Sequence, residues 1–394
     1  MVDVQRHEAG TEQRANAVKA LHDEGQSVWL DDISRQMIKS GELRRLIEEV
    51  GIRGNTSNPT IFEKAIAAGT AYDEDVQRLL REGKGAPDIF EAVAVQDIQA
   101  ACDLYRPLYE ASEGGDGFMS LEVSPTLARD TEGTLRDARR LWAAVDRPNL
   151  MVKVPGTAEG VPAVRTLLRE GLNINITLLF AISHHEAVMH AYLEALEERH
   201  AAGEPVDRIA SVASFFVSRV DTLVDKQLDA KIAETDDAAK QERMRGLMGK
   251  AAVANAKLAY ARFQEIFAGP RWEALRSAGA KVQRPLWAST STKNPAYRDV
   301  LYVEDLIGPD TVNTVPRATL DALLDHAAIR RAIDKDLDAA RQTMRDLEAV
   351  GIDMEAVTDQ LEDEGIVSFA KSFDSLLGGV EGKRSQIAAT VAAR

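Results

Sequence analysis

The chain contains the apolar run Phe118-Met119-Ser120-Leu121-Glu122-Val123, followed by an amphipathic stretch over residues 135–145 and a second apolar run, Leu150-Met151-Val152-Lys153-Val154. The two apolar runs are short and β-prone, whereas the stretch between them has the spacing of a helix with one apolar face. This order predicts a strand, a helix and a second strand that lies parallel to the first in one sheet.

The same pattern recurs along the chain, although no sequence repeat accompanies it. The predicted strands lie at residues 27–31, 52–56, 118–123, 150–154, 172–176, 209–214, 282–288 and 311–315. Helical stretches follow them, for example at residues 41–50, 178–199, 219–232 and 318–326. Eight such α/β units predict a closed (β/α)8 TIM barrel with its core at about residues 27–320. An open doubly wound sheet is the alternative.

Two further helical stretches predict additions to a minimal barrel. They lie at about residues 235–270 and 333–394, and the second is expected to break near Gly351 and at Gly378-Gly379. Neither stretch is joined to the rest of the chain by a linker rich in Pro, Gly and Ser. We therefore expect residues 1–394 to form a single domain.

Composition narrows the class of protein. The 394 residues are 45% apolar, enough for a large core, and the net charge of −15 argues against nucleic acid as a partner. The single cysteine, Cys102, rules out an internal disulfide and is typical of a reducing compartment. No apolar run approaches the roughly 18 residues of a membrane span, and the charged residues 1–16 predict no signal peptide. We expect a cytoplasmic protein without a membrane partner.

Polar side chains follow the predicted strands where an α/β barrel carries its active site, at the carboxyl end. These residues are Asp31, Asp32, Thr56, Asn58, Glu122, Lys153, Asn175, Thr177, Ser214, Arg219, Ser289 and Lys293. Their recurrence at one strand end after another predicts that they line one pocket.

Lys153 is the most informative of them, because it interrupts an apolar strand. Burial disfavours a charged amine and so favours the neutral form that attacks carbonyl groups. The alternatives are a lysine that reaches solvent and a lysine paired with a buried carboxylate. Glu122, on the preceding strand, is expected in the same barrel mouth, where it can activate water or form a structural ion pair with an arginine.

The other polar positions have two interpretations each. Asp31 or Asp32 can transfer a proton from a substrate hydroxyl or cap a helix. Asn58 precedes Pro59 and fits an ordinary helix cap. Arg219 with a nearby serine suits a phosphate, although a solvated helix arginine is the alternative. The loop at residues 289–294 fits phosphate contact or a plain loop equally.

A metal site is not expected. The histidines His184, His185 and His190 lie on a predicted helix and are interpreted as surface or capping residues, and no Cys/His cluster suggests zinc.

Four segments together carry a family resemblance. They are Trp29-Leu30-Asp31-Asp32, Gly54-Asn55-Thr56-Ser57-Asn58-Pro59-Thr60, residues 150–157 around Lys153, and residues 171–180 around Asn175 and Thr177. In this order they resemble the transaldolase family, from about residue 28 to 316, and Glu122 falls where that family has its catalytic glutamate. The chain is similar to a longer bacterial branch of the family.

The resemblance implies a class I aldolase mechanism without metal or organic cofactor. Lys153 would form the Schiff base, Asp31 would act as general acid and base, and Glu122 with Thr177 would hold the catalytic water. The remaining implied contacts are Thr56, Asn58, Asn175 and Ser214 for the dihydroxyacetone unit, and Arg219, Ser289 and Lys293 for the phosphate. Lys293 stands where many relatives have an arginine.

The implied reaction converts sedoheptulose 7-phosphate and glyceraldehyde 3-phosphate into erythrose 4-phosphate and fructose 6-phosphate, a step of the non-oxidative pentose phosphate pathway. Sugar phosphates are therefore the expected partners, and the protein is expected to be a monomer or a homodimer. The alternatives are a lyase similar to fructose-6-phosphate aldolase, and a non-catalytic barrel that binds sugar phosphates.

Overall fold

Eight parallel strands form a closed barrel in the computed structural model, which describes residues 16–67 and 70–392. The strands are β1 (Gln26–Leu30), β2 (Gly54–Asn55), β3 (Phe118–Glu122), β4 (Leu150–Pro155), β5 (Ile174–Leu179), β6 (Ser211–Phe216), β7 (Arg284–Ala288) and β8 (Thr311–Val315). They pair in chain order, and β8 pairs with β1. The predicted (β/α)8 barrel is confirmed, and the open doubly wound sheet is wrong.

One helix precedes β1, and the others lie between the strands or follow the last one. The α-helices are α1 (Ala17–Asp23), α2 (Arg35–Lys39), α3 (Glu42–Arg45), α4 (Pro59–Ala67), α5 (Asp73–Arg81), α6 (Ala86–Ala111), α7 (Thr131–Val145), α8 (Gly160–Glu170), α9 (Ile182–Ala201), α10 (Ser218–Ala233), α11 (Ala238–Arg245), α12 (Ala251–Ile266), α13 (Pro270–Ser277), α14 (Leu301–Glu304), α15 (Arg317–His326), α16 (Leu337–Ala349) and α17 (Met354–Ala392). A π-helical turn, Leu46–Val50, follows α3, and a 3-10 turn, Pro125–Leu127, follows β3. None of the helices in the described part of the chain is long and apolar enough to cross a membrane.

The fifth strand extends further than predicted. Residues 178 and 179 belong to β5, and the following helix begins at Ile182 rather than at residue 178. The pairing of β5 with β6 shifts register between Ile176 and Leu179, and Leu178 has a positive φ of 62°. Residues 178–181 are all apolar and buried, so hydrophobicity alone cannot distinguish the end of a strand from the start of a helix here.

The predicted additions are helical, with one correction. Helices α11 and α12 fall within residues 235–270, and Gly351 lies in the break between α16 and α17 as expected. The second predicted break is wrong, because α17 continues through Gly378 and Gly379. A helical glycine costs about 1 kcal/mol relative to alanine. Here the buried neighbours Leu376 and Val380 hold the helix against the protein and offset that cost.

A glycine on β2 makes room for the barrel core. A Cβ atom on Gly54 would lie 2.6 Å from the indole ring of Trp29, which is fully buried on β1. Any larger residue at position 54 would displace this ring. The absence of a side chain at position 54 therefore allows Trp29 on β1 to pack directly against the backbone of β2.

The amino-terminal end of the barrel is held by a buried carboxylate. Asp116 accepts hydrogen bonds from Ser27 Oγ at 2.7 Å and from Arg284 Nη2 at 3.0 Å. A cavity of about 880 Å³ opens at this end, between the first residues of several strands. In α/β barrels this end serves stability, whereas chemistry takes place at the opposite end.

Candidate active site

A smaller cavity of about 200 Å³ lies at the carboxyl end of the barrel. Nine of the predicted site residues line it, namely Asp31, Thr56, Asn58, Lys153, Thr177, Ser214, Arg219, Ser289 and Lys293. Of the other three, Glu122 forms an ion pair with Lys153 and Asn175 accepts a hydrogen bond from Ser214, whereas Asp32 lies outside the lining. The structure thus brings together residues from the ends of seven strands, β1 to β7.

Lys153 occupies the centre of this arrangement. It pairs in register with Glu122 on β3 and with Asn175 on β5, and only 5% of its surface is exposed. Its Nζ atom lies 3.4 Å from Glu122 Oε2 and donates a hydrogen bond to the Ser57 carbonyl at 3.3 Å. The solvent-reaching alternative is therefore wrong. The lysine is paired with a buried carboxylate, and that pair forms part of the pocket.

Glu122 and Thr177 retain unused hydrogen-bonding capacity beside this lysine. Three buried atoms have no hydrogen-bond partner among the described residues. They are the two carboxylate oxygens of Glu122 and the hydroxyl oxygen of Thr177. Leaving such a group unsatisfied costs about 1–3 kcal/mol. These atoms are therefore suited to bind a water molecule or a substrate hydroxyl. The predicted alternative, an ion pair of Glu122 with an arginine, is not observed.

Burial governs the protonation of the two carboxyl groups. It raises the pKa of Glu122 above its ordinary value, although the nearby Lys153 opposes this change. Burial likewise raises the pKa of Asp31, against the opposing charge of Lys153 and a hydrogen bond from Thr56. A carboxylate with a raised pKa is a stronger base, which suits it to accept a proton from a hydroxyl group.

Asp31 follows β1 directly and belongs to a hydrogen-bonded set. Thr56 Oγ1 donates to Asp31 Oδ1 at 2.7 Å, and the Thr314 hydroxyl lies 2.8 Å from Thr56. The helix after β1 is capped by Ser34, so the capping interpretation is wrong for both Asp31 and Asp32. Asp32 is outside the pocket lining.

Two amide side chains are fixed by neighbouring hydroxyl and backbone groups. Asn175 Nδ2 donates to Ser120 Oγ at 3.0 Å, and Asn175 Oδ1 accepts from Ser214 Oγ at 2.7 Å. Asn58 Oδ1 accepts a hydrogen bond from the backbone N–H of Ile61 at 3.0 Å and so caps α4. The capping interpretation of Asn58 is confirmed, and the residue lines the pocket as well.

Positive charge is concentrated on one side of the pocket. Arg219 is the second residue of α10, and its guanidinium lies 5.4 Å from the ring centroid of Phe216. Lys293 Nζ donates to Ser291 Oγ at 2.7 Å. Burial lowers the pKa of both cations, and for Lys293 the charge of Arg219 contributes further. Because the two positive charges repel each other, binding of an anion between them is favourable.

The backbone on this side adopts an unusual conformation. Ser289 has a positive φ of 55°, and its hydroxyl lies 2.9 Å from that of Ser218 at the start of α10. A positive φ is uncommon outside glycine and is often found at functional sites. This conformation places the Ser289 side chain in the pocket lining beside Arg219.

Several pocket residues were not predicted. Phe216 and Thr314 lie at the ends of β6 and β8, so their position at strand ends is the sequence signal for them. Phe369 lies on α17, and its ring centroid is 5.5 Å from Lys153 Nζ. No pattern in the sequence connects a helix this far along the chain with Lys153.

The histidines require one correction. His185 is fully buried against Phe215, and desolvation lowers its pKa to about 4, so the surface interpretation is wrong for this residue. His190 is exposed, and His184 Nδ1 lies 2.9 Å from a carboxylate oxygen of Glu362. Within the described residues no cluster of His, Cys, Asp or Glu has the arrangement of a metal site.

The sequence profile of a family described as transaldolase/fructose-6-phosphate aldolase matches residues 28–380. The chain belongs to this family. The matched region contains all eleven predicted catalytic and substrate-binding residues and most of α17.

Full-length relatives within the family carry the name transaldolase. One from Thermobifida fusca is 50% identical over 364 residues, which are 92% of this chain and 97% of the relative. One from Trichodesmium erythraeum is 46% identical over 93% of this chain and 97% of its own length. One from Thiobacillus denitrificans is 47% identical over 93% of this chain and 99% of its own length. The similarity therefore includes the helices added to the barrel.

Proposed function

We propose that this chain is a transaldolase that transfers a dihydroxyacetone unit from sedoheptulose 7-phosphate to glyceraldehyde 3-phosphate. The observation that carries the proposal is the buried Lys153, paired with Glu122 in a pocket that also contains Asp31. An amine with these neighbours has the groups needed to make, cleave and hydrolyse a Schiff base. The names of the relatives support the same activity.

In the first step, Lys153 gives a proton to the adjacent Glu122 carboxylate, and the resulting neutral amine attacks the ketose carbonyl to form a carbinolamine. Loss of water then gives a protonated imine. Glu122 and Thr177, with their unused hydrogen-bonding atoms beside Lys153, are assigned to the water that leaves here and returns in the final hydrolysis. Proton transfer by a positioned carboxylate contributes roughly 10²–10⁴-fold to such a step.

Cleavage of the carbon–carbon bond is assigned to Asp31. Its carboxylate takes the proton from the substrate hydroxyl, the bond beside that hydroxyl breaks, and the electron pair moves into the imine to form an enamine. The aldose leaves, and the enamine attacks the acceptor aldehyde while Asp31 returns the proton. A pKa raised by burial favours both halves of this exchange.

Substrate recognition divides between two sides of the pocket. Thr56, Asn58, Asn175 and Ser214 are assigned to the hydroxyl groups of the dihydroxyacetone unit. Arg219, Ser289 and Lys293 are assigned to the phosphate, with Arg219 as the principal contact because its guanidinium binds phosphate through two hydrogen bonds. The concentrated positive charge offsets the repulsion expected from a protein of net charge −15.

The proposal has consequences for the whole protein. In the described part of the chain, the buried residues of the barrel and of α17 form one continuous hydrophobic core, which supports a single domain. A sugar-phosphate substrate of central metabolism supports a cytoplasmic location. The proposal requires neither a metal nor an organic cofactor, and a monomer or a homodimer is compatible with a pocket built from one chain.

Borohydride reduction in the presence of fructose 6-phosphate, followed by peptide mass mapping, tests this function. The adduct is expected on Lys153, and Lys153→Ala should abolish turnover while leaving the fold intact. Labelling of another lysine would refute the assignment. An assay with and without the acceptor aldose distinguishes the transferase from a lyase that releases free dihydroxyacetone.

A further inference from the structure

Helix α17 crosses the carboxyl end of the barrel. It packs against β5 and against three segments that follow other strands, namely α4 after β2, the 3-10 turn after β3 and α10 after β6. Several site residues lie at the ends of these strands or soon after them, among them Asn58, Glu122, Thr177 and Arg219. A helix in this position limits access to the pocket that they form.

A glycine permits the close approach of this helix. A Cβ atom on Gly365 would lie 2.9 Å from Leu178 Cδ2 and 3.7 Å from Arg219 Nη1. The first distance is shorter than normal van der Waals contact, so a side chain at position 365 would require Leu178 or α17 to shift. Leu178 is the residue with positive φ that directly follows Thr177.

One helical turn beyond Gly365, Phe369 reaches the pocket itself. Its ring lines the cavity, with the centroid 5.5 Å from Lys153 Nζ. Phe373, a further turn along, packs edge-on against Phe90 at 5.9 Å. The successive positions 365, 369 and 373 lie on one face of the helix, so the packing of Phe373 also fixes the position of Phe369.

Polar contacts attach both halves of α17 to the rest of the protein. Glu362 pairs with His184 on α9 at 2.9 Å, and Arg129 pairs with Asp363. Farther along, Lys383 Nζ lies 2.7 Å from Asp73 Oδ1. With contacts before and after Phe369, the helix forms a fixed wall of the pocket.

We propose that Phe369 is a specificity-determining residue that closes the pocket over the Lys153 adduct and so favours transfer to an aldose over release to water. The inference depends on the Schiff base of the proposed function. In the side reaction, the enamine carbon takes a proton and water adds to the resulting imine carbon. The bond from that carbon to Lys153 Nζ then breaks and gives free dihydroxyacetone and the amine. The ring keeps solvent away from the enamine carbon and so hinders its protonation, whereas the water assigned to Glu122 and Thr177 still serves imine hydrolysis. The face of the ring also stabilises the protonated imine.

The test compares Phe369→Ala and Phe369→Leu with the wild type. Free dihydroxyacetone and transferred product are measured together, with fructose 6-phosphate as donor and erythrose 4-phosphate as acceptor. We expect Phe369→Ala to raise the ratio of release to transfer by about tenfold, a change of about 1.4 kcal/mol in the difference between the two barriers. Phe369→Leu, which keeps an apolar wall, should raise the ratio less.

Val367→Ala is the matched control, because Val367 lies on the same helix with 53% of its surface exposed. Its ratio of release to transfer should equal that of the wild type. An unchanged ratio in Phe369→Ala overturns the inference, and if this variant does not fold, an unchanged ratio in Phe369→Leu does so. Borohydride trapping on wild-type Lys153 is scored separately, so failure to trap that residue refutes the proposed function instead.

Discussion

Lys153 and Glu122 occupy paired positions on neighbouring strands, and their charged groups lie 3.4 Å apart with almost no exposure to solvent. Parallel strands in register place both side chains in the same layer of the barrel interior. A buried pair of this kind is expensive to maintain and is weak evidence for stability alone. Its position in a pocket with unsatisfied polar atoms indicates that the pair serves chemistry.

The two carboxylates are expected to act at different steps. Asp31→Ala should form the Schiff base but fail to cleave the carbon–carbon bond, so that a trapped adduct accumulates. Glu122→Ala should instead slow formation and hydrolysis of the adduct. Single-turnover borohydride trapping measures both rates. Asp32→Ala is the matched control, because Asp32 adjoins Asp31 in sequence but lies outside the pocket lining. Identical behaviour of the Asp31 and Glu122 variants would rule out separate roles.

Arg219 is expected to recognise the phosphate. Arg219→Ala should raise KM for phosphorylated ketoses by roughly one to two powers of ten, corresponding to about 1.5–3 kcal/mol for a hydrogen bond to a charged group. Activity on unphosphorylated fructose or dihydroxyacetone should barely change. Steady-state kinetics on both substrate types provides the measurement. Arg208→Ala, which alters an exposed arginine before β6, is the control. Equal losses on both substrate types would indicate that Arg219 maintains the fold instead.

Asp31 is expected to reduce stability at neutral pH. Because burial raises its pKa in the folded protein, the ionised carboxylate costs free energy there. Below the ordinary pKa of 3.8 the carboxyl group is protonated in both the folded and the unfolded protein, and it costs no stability. As the pH rises through the pKa of Asp31 in the folded protein, the free energy of unfolding decreases. Asp31→Asn should therefore increase the free energy of unfolding at pH 8 by roughly 0.5–2 kcal/mol.

Denaturant unfolding at pH 8 and at pH 4, close to the ordinary pKa of 3.8, tests this expectation. The gain from Asp31→Asn should shrink at the lower pH, whereas exposed Asp23→Asn should give no comparable gain. A variant that is less stable than the wild type at pH 8 would contradict the explanation.

The contact between His184 and Glu362 is expected to make the attachment of α17 depend on pH. The hydrogen bond to Glu362 raises the pKa of His184, and Asp359 on the same helix adds to the effect. The pair therefore stabilises the protein fully below about pH 6.5 and loses this contribution as the pH rises through the folded pKa. The contribution is at most about 1 kcal/mol, because His184 is partly exposed and solvent screens the pair.

Unfolding of His184→Gln at pH 6 and pH 9 measures this contribution. The difference from the wild type should be present at pH 6 and absent at pH 9. His190→Gln changes an exposed histidine on the same helix and should show no such dependence. A constant difference at both pH values would show that charge on His184 has no role.

The sequence by itself determined the architecture and most of the pocket. Eight apolar runs separated by helical stretches were sufficient for a barrel, because strand and helix periodicities are local properties of the chain. Closure of the barrel requires the strand ends to converge, so the sequence alone predicts that residues as distant as Asp31 and Lys293 share one pocket.

Only the tertiary structure decided where the fold differs from what the local sequence patterns predict. The glycines at 378 and 379 predicted a break in α17, but the packing of Leu376 and Val380 outweighs their weak helix propensity. The position of Phe369 over Lys153 depends on how α17 crosses the barrel and on the room left by Gly365. Such contacts join residues far apart in sequence through packing, and local periodicity carries no information about them.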